Sequence, residues 1–311
     1  LEKGFMFALR VMLEYFHPWP NSAGFYLARE RGWYLEAGLD VELVVHDPYH
    51  GDTLDHLMRG AAAFGVFPSN RLLVRRELGQ PLIGVAAINH RGLESIQTLT
   101  DSGIRRPRDL QGKRLALNPT PRGLAMVRHL VSQDGGDPDA VELVDAGFRE
   151  LRPEDLDAGL ADASFGGYWA WEALLPSPIA DERRVVLPVD EIGAPPYHSY
   201  LLGAREDWLD ANPDIARRFL AVTARGFLAA AAEPEAALPV YERTIPYFPH
   251  AMLAESLRRI APSWLHQGHW GEQREELLQP YAQWLHEYGV LRDPEVWRGA
   301  TSNAWQVETP A

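Results

Sequence analysis

The run Gly166-Gly167-Tyr168-Trp169-Ala170-Trp171-Glu172 gathers more chemistry than any other seven residues of the chain. Two glycines permit a tight turn and a close backbone approach. Two indoles and a phenol follow, with a carboxylate behind them. Flat apolar faces carrying a few polar tips are what a planar ligand needs from a pocket. The same residues would also make an aromatic helix face inside a core, and the run alone leaves both readings open. It is expected where a short strand, residues 163–165, gives way to a helix. At helical spacing Trp169 and Glu172 share one side and Trp171 points away, which puts Tyr168 and Trp169 at a ligand and Trp171 in the core.

Other positions carry similar chemistry. Tyr15, Trp19 and Asn21 fall on a loop after a strand, where a ring can stack and an amide can satisfy a ligand edge. Packing of that loop is the competing role, most evenly balanced for Trp19. Asn118 to Gly123 precedes a helix, whose free N–H groups attract anions. Thr120 adds a hydroxyl there and Arg122 a fork of donors, against the alternative of an ordinary cap with a solvated arginine. Ser69 and Asn70 are expected to cap a further helix, a structural role first. His46, His50, Asp52, Asp55 and His56 suggest a metal, but Pro48 and Gly51 break the helix that would align them. His266 and His269, beside Trp270, read as packing or a polar loop. No nucleophile elbow, P-loop, dinucleotide fingerprint or HExxH is present.

Composition narrows the classes. The chain has 311 residues and 46% hydrophobic content, enough for one large or two medium domains with a sizeable core. Its net charge of −13, from 43 acidic and 30 basic residues, argues against nucleic acid or an anionic membrane as the main partner. The absence of cysteine rules out disulfides, thiolate catalysis and iron–sulfur clusters. No run approaches the roughly 18 apolar residues of a membrane span. No signal peptide is visible, and a start at Leu1 reads as a processed or trimmed chain.

The elements that must position these groups alternate. Phe5, Phe7, Leu9, Val11 and Leu13 share one parity and predict a strand. Asn21-Ser22 is expected to cap the next helix. Strands near 41–45, 62–67 and 82–88 follow, with helices near 54–59 and 70–78 between them. A second α/β set opens after Gly103, with strands at 113–117, 141–144 and 184–187 and a helix at 123–131. Residues 199–202 read as a strand returning to the first sheet, and the remainder as mostly helical, including an alanine-rich packing helix over 216–232. The order is first unit, second unit, return to first. It predicts two α/β lobes, 1–92 with 198–311 and 93–197, joined by two crossings, with a ligand cleft between them at the strand ends.

Five segments in order carry a resemblance. They are Glu14–Asn21 with Gly24–Ala28 and Gly32–Tyr34; Gly112–Arg114 with Asn118–Gly123; Gly166–Glu172; Val189–Tyr197; and Gly268–Gly271 with Trp284-Leu285, Gly289 and Thr301–Asn303. Together they resemble the NMT1/THI5-like family of substrate-binding proteins, which serve uptake of thiamine precursors and related heteroaromatics. The resemblance implies a type II periplasmic-binding-protein fold, no catalysis, no cofactor and no metal. It implies a small heteroaromatic ligand, an ABC permease as partner, a monomer, and a place outside the cytoplasm. The implied ligand-binding set is Tyr15, Trp19, Asn21, Ser69, Asn118, Thr120, Arg122, Gly123, Tyr168, Trp169, Glu172, Tyr197 and Ser199. Pyrimidine-binding members carry an acid two positions after the tyrosine that matches Tyr197, where this chain has Ser199, so a ligand richer in acceptors is expected. Pyrimidine synthases of the superfamily use pyridoxal phosphate and their own histidine, with a cysteine-rich iron motif that this chain lacks. A cytoplasmic ligand sensor is the remaining alternative.

Overall fold

The computed structural model describes residues 6–306, except for the side chain of Pro48. Phe5, the first residue of the expected alternation, lies outside the described residues. The chain divides into two compact units: unit 1 takes residues 6–90, 197–283 and 291–306, and unit 2 takes 91–196 and 284–290. Where the sequence grouped 198–311 together, the stretch Trp284–Val290 goes with unit 2. Its Trp284 and Tyr288 rings lie 5.6 and 5.7 Å from His129, which also meets the Tyr288 hydroxyl at 3.2 Å.

Unit 1 begins with β1 (Phe7–Leu13), β2 (Leu39–Val45), β3 (Phe64–Pro68) and β4 (Leu82–Ala87). Unit 2 follows with β5 (Glu94–Leu99), β6 (Arg114–Leu117), β7 (Glu142–Asp145), β8 (Ala163–Tyr168) and β9 (Arg184–Pro188). The chain then returns to unit 1 with β10 (Tyr200–Arg205) and the short hairpin of β11 (Leu265–His266) and β12 (His269–Trp270). Unit 1 has a five-stranded sheet in the order β2-β1-β3-β10-β4, and unit 2 one in the order β7-β6-β8-β5-β9. The two repeat one plan. β10 runs antiparallel between β3 and β4, and β5 antiparallel between β8 and β9, while the other strands of each sheet share a direction.

Strand β1 alternates at first and then is buried on both faces, through Val11, Met12 and Leu13, because helices cover each side. The helix Pro213–Ala232 is the alanine-rich element expected from the sequence. It lies close against the helix Ala23–Glu30, and a Cβ at Gly226 would stand 2.1 Å from the Gly24 carbonyl. The expected cap at Asn21-Ser22 is absent. Pro20–Ser22 form a 3-10 turn, and neither side chain bonds the helix start. Ser69 is the first residue of its helix, not its cap.

Candidate functional site

In an open α/β sheet, ligands bind beyond the carboxyl ends of the parallel strands. Each unit brings its share of the sequence-derived residues to that end of its own sheet. In unit 1, Glu14 to Asn21 follow β1, Ser69 follows β3, Asn89 and His90 follow β4, and Tyr197 to Ser199 precede antiparallel β10. In unit 2, Asn118 to Gly123 follow β6, Glu150 lies in the loop after β7, Tyr168 ends β8, and Glu94 opens antiparallel β5.

Unit 1 uses much of its polar chemistry internally. The buried Glu14 carboxyl accepts from Trp19 Nε1 at 2.8 Å, Asn21 Nδ2 at 3.0 Å and Ser22 Oγ at 3.5 Å. Burial raises its pKa against the lowering effect of these donors. Asn21 and Asn89 exchange amide hydrogen bonds at 3.2 and 2.7 Å, and Trp264 Nε1 donates to the Asn21 oxygen at 3.2 Å. Trp19 and Asn21, each 1% exposed, therefore hold the loop in place. Ser69 Oγ donates to the His198 carbonyl at 2.5 Å. Tyr197 is buried and stacks on Tyr281, with centroids 4.6 Å apart. Ser199 is buried as well.

Tyr15 is different. It is half-buried, within 4.4 Å of the Phe16 ring and 4.8 Å of His17, which in turn meets Phe248 at 5.4 Å. Phe16 is 56% exposed and Tyr247, beside Phe248, 68%. An accessible aromatic rim thus joins two loops of unit 1, and only its first ring was singled out from sequence. Elsewhere in unit 1, His198 Nδ1 donates to the Asn89 carbonyl at 2.9 Å and Nε2 accepts from Arg274 N at 3.0 Å. Burial pushes His198 down to about 4. His90 stands 5.0 Å from His198 and 5.7 Å from His266, and both of its ring nitrogens are buried without a hydrogen bond. Burial, then the charges of His198 and Arg274, push it down to about 3.

In unit 2 the Gly-Gly-Tyr run is strand, not the start of a helix. β8 continues through Tyr168, Trp169 to Trp171 make a turn, and Glu172–Leu174 form one turn of 3-10 helix. The expected helical sharing of one side by Trp169 and Glu172 therefore does not arise. Trp169 is 6% exposed; its indole N–H donates to the Gly92 carbonyl at 2.9 Å, and the Arg91 guanidinium lies 4.4 Å above its ring. Trp171 is buried, as expected. Tyr168 is half-buried, and its backbone N–H donates to Glu172 Oε2 at 2.7 Å.

Thr120 caps the helix Pro121–Gln133 by accepting from Gly123 N at 3.1 Å, while Asn118 and Thr120 are exposed. Arg122 is buried and grips both oxygens of Glu94, Nη2 to Oε2 at 3.1 Å, so its fork meets a protein carboxylate. Glu150 is exposed as a residue, but its carboxyl lies over the glycine pair. Burial, followed by the charges of Glu172 and Glu94, pushes it up to about 8. Glu94 and Glu150 escaped sequence reasoning because the loop and strand that bring them to Tyr168 are far apart in the chain.

Among the described residues, no group of three His, Cys, Asp or Glu side chains is placed to hold a metal ion. His46 bonds the Leu13 carbonyl and His50 pairs with Asp47. A groove of about 920 Å³ in unit 1 lies at the opposite end of the sheet, where Arg10 pairs with Glu42 and Arg205 with Asp207. None of the sequence-derived candidate residues lines it. No helix among the described residues is long and apolar enough to cross a membrane.

Two mixed α/β sheets of this plan define a periplasmic-binding-protein fold, and solved structures of that class share it. The alkanesulfonate-binding protein SsuA from Xanthomonas axonopodis pv. citri, bound to MOPS, superposes with a TM-score of 0.70 at 15% identity, over 95% of this chain and 98% of its own. The ligand-binding component of an ABC-type import system from Staphylococcus aureus does so at 0.66 and 14%, over 96% and 100%. The NMT1/THI5-like family model matches residues 19–237, and the chain belongs to that family. It is 25% identical over 303 residues to the formylaminopyrimidine-binding protein of Halalkalibacterium halodurans, covering 95% of this chain and 89% of that one. It is also 26% identical over 239 residues to a 4-amino-5-hydroxymethyl-2-methylpyrimidine phosphate synthase of Aspergillus parasiticus, covering 74% and 69%.

Proposed function

We propose that this chain is a non-catalytic solute-binding protein of an ABC importer, working outside the cytoplasm as a monomer, and that its ligand is a planar heteroaromatic of the aminopyrimidine type. One observation carries the ligand reading. The carboxyl end of the unit 2 sheet sets the half-buried Tyr168 among the carboxyls of Glu94, Glu150 and Glu172. A ring with amino donors suits such a surface better than an acceptor-rich or anionic molecule. This reading departs from the acceptor-rich ligand expected from Ser199, because the carboxyls of Glu94, Glu150 and Glu172 favour a ligand edge that carries donors. Within unit 1, the rings of Tyr15, Phe16, His17 and Phe248 form an aromatic rim of the kind that suits a planar ring. The similarity to a formylaminopyrimidine-binding protein over almost the whole chain supports the same ligand class.

Calorimetric titration with a formylaminopyrimidine, a hydroxymethylpyrimidine, thiamine, a flavin and pyridoxal phosphate tests the reading. A Kd of about 1 μM or tighter for an aminopyrimidine is expected. No binding by any of these up to about 1 mM would overturn it. Incubation with pyridoxal phosphate and ferrous iron should leave the intact mass of the chain unchanged; loss of mass from a histidine would favour the synthase reading that the Aspergillus relative raises.

A further inference from the structure

We propose that Glu150 is the residue of unit 2 that reads the amino edge of the ligand, where an exocyclic amino group adjoins a ring nitrogen. This rests on the aminopyrimidine reading above and assigns that recognition to one residue. Of the three acids at the carboxyl end of the sheet, two are engaged by the protein: Glu94 by both terminal nitrogens of Arg122, and Glu172 by the backbone N–H of Tyr168. Glu150 has no hydrogen bond or ion pair with any described residue. Its side chain nevertheless folds inward instead of extending into water. Oε1 and Oε2 stand 3.4 and 3.8 Å from where a Cβ would sit on Gly166, and Oε2 stands 3.5 Å from the equivalent point on Gly167. The glycine pair thus leaves the space that this carboxyl occupies. Gly166 has a φ of +124°, so a side chain there would be strained as well as crowding the acid.

The surroundings set the protonation state. Glu172 and Glu94 are the charges that act on Glu150, and Arg122 is the cation that balances Glu94. With burial, they hold the Glu150 proton up to about pH 8. A neutral carboxyl offers an acceptor and a donor side by side. An amino group beside a ring nitrogen offers the reciprocal donor and acceptor, so two coplanar hydrogen bonds form. The pair survives if the proton crosses to the ring nitrogen, because carboxylate and protonated ring make the same two bonds. A carbocyclic ring that lacks both the amino group and the adjacent nitrogen offers neither partner and forms neither bond.

The test titrates an aminopyrimidine and a carbocyclic counterpart lacking the amino group and the adjacent ring nitrogen into the full chain and into Glu150→Ala and Glu150→Gln. Glu150→Ala should weaken the aminopyrimidine about 10- to 100-fold and the carbocyclic compound by less than about 3-fold. Glu150→Gln, whose amide also carries one acceptor and a donor, should stay within about 3-fold of the parent for the aminopyrimidine. The parent's affinity should fall as pH rises through about 8, and that fall should vanish in Glu150→Gln. Equal affinity of all three proteins for the aminopyrimidine, or equal losses for both ligands, would overturn the role of Glu150 while leaving the ligand class standing. A parent chain that binds neither compound would instead overturn the ligand class itself. Thermal melts of both variants separate misfolding from lost recognition, and Glu150→Gln keeps the result readable if Glu150→Ala fails to fold.

Discussion

Trp169 donates its indole N–H to the Gly92 carbonyl and lies beneath Arg91, so truncating it empties a site in the interior of unit 2. Trp169→Ala is expected to lower the unfolding free energy by about 3–5 kcal/mol, the usual cost of removing a buried indole. Urea unfolding checks this. A variant that keeps its stability and loses only ligand affinity would return Trp169 to the ligand wall that the sequence suggested. Tyr15 should behave in the opposite way. It is half-buried on the aromatic rim, and Tyr15→Ala should weaken ligand binding by about 1–3 kcal/mol with little change in stability.

Among the elements, the two helices that meet at Gly24 and Gly226 have the tightest tolerance. A Cβ on Gly226 would stand 2.1 Å from the Gly24 carbonyl and 3.0 Å from Ala28 Cβ, and the backbone cannot swing aside as a side chain can. Gly226→Ala should therefore cost about 1–3 kcal/mol even though alanine favours the helix; a stabilised variant in a thermal melt would show that the helices can slide apart freely. Strand β5 shows why some elements stay hidden in a sequence. Its residues Ser95, Gln97 and Thr98 are polar yet buried, held by bonds such as Ser95 Oγ to the Gly167 carbonyl at 2.6 Å and Thr98 Oγ1 to the Asp162 carbonyl at 2.6 Å. Hydrophobic periodicity cannot register a strand whose inward groups are hydroxyls and amides satisfied by distant partners. Gly166 and Gly167 read as a turn for a related reason. Gly167 lies in strand β8, where a Cβ would stand 2.5 Å from Gln97 Nε2, so the close approach of Gln97 is what favours glycine there, a contact invisible from local sequence.

For the molecule as a whole, buried ionisable groups set the pH range of stability. His90 and His198 are held neutral in the folded state, at about 3 and about 4, against about 6.5 when unfolded. Below about pH 6.5 the unfolded chain takes up protons that the folded chain refuses, so stability should fall as pH drops from there toward 4. Glu150 acts on the other side. Held protonated up to about 8, it favours the folded state at low pH, and that contribution is lost as pH rises from about 4.5 through 8. His90→Phe removes a ring whose nitrogens have no hydrogen bond, so it should keep neutral-pH stability and lose less melting temperature between pH 7.5 and 5 than the parent. An unchanged acid response would locate the sensitive group elsewhere.

Local sequence determined the alternation of strands and helices, the alanine-rich packing helix, the Thr120 cap, and the order of motifs that marks the family. These depend on periodicity, backbone preference and short-range hydrogen bonds, all of which a single stretch of chain carries with it. The tertiary structure alone decided which aromatic and polar side chains are consumed internally. Trp19 and Asn21 are drawn into a network with Glu14, Asn89 and Trp264, Tyr197 is stacked on Tyr281, and Arg122 is clasped by Glu94. Apart from Glu14, which shares their loop, those partners come from elsewhere in the chain, and a donor or ring face already matched by such a partner cannot be distinguished from an open one by residue type. The same long-range assembly sets Glu150 over the glycine pair, where burial and two neighbouring carboxylates, rather than its own chemistry, fix its proton.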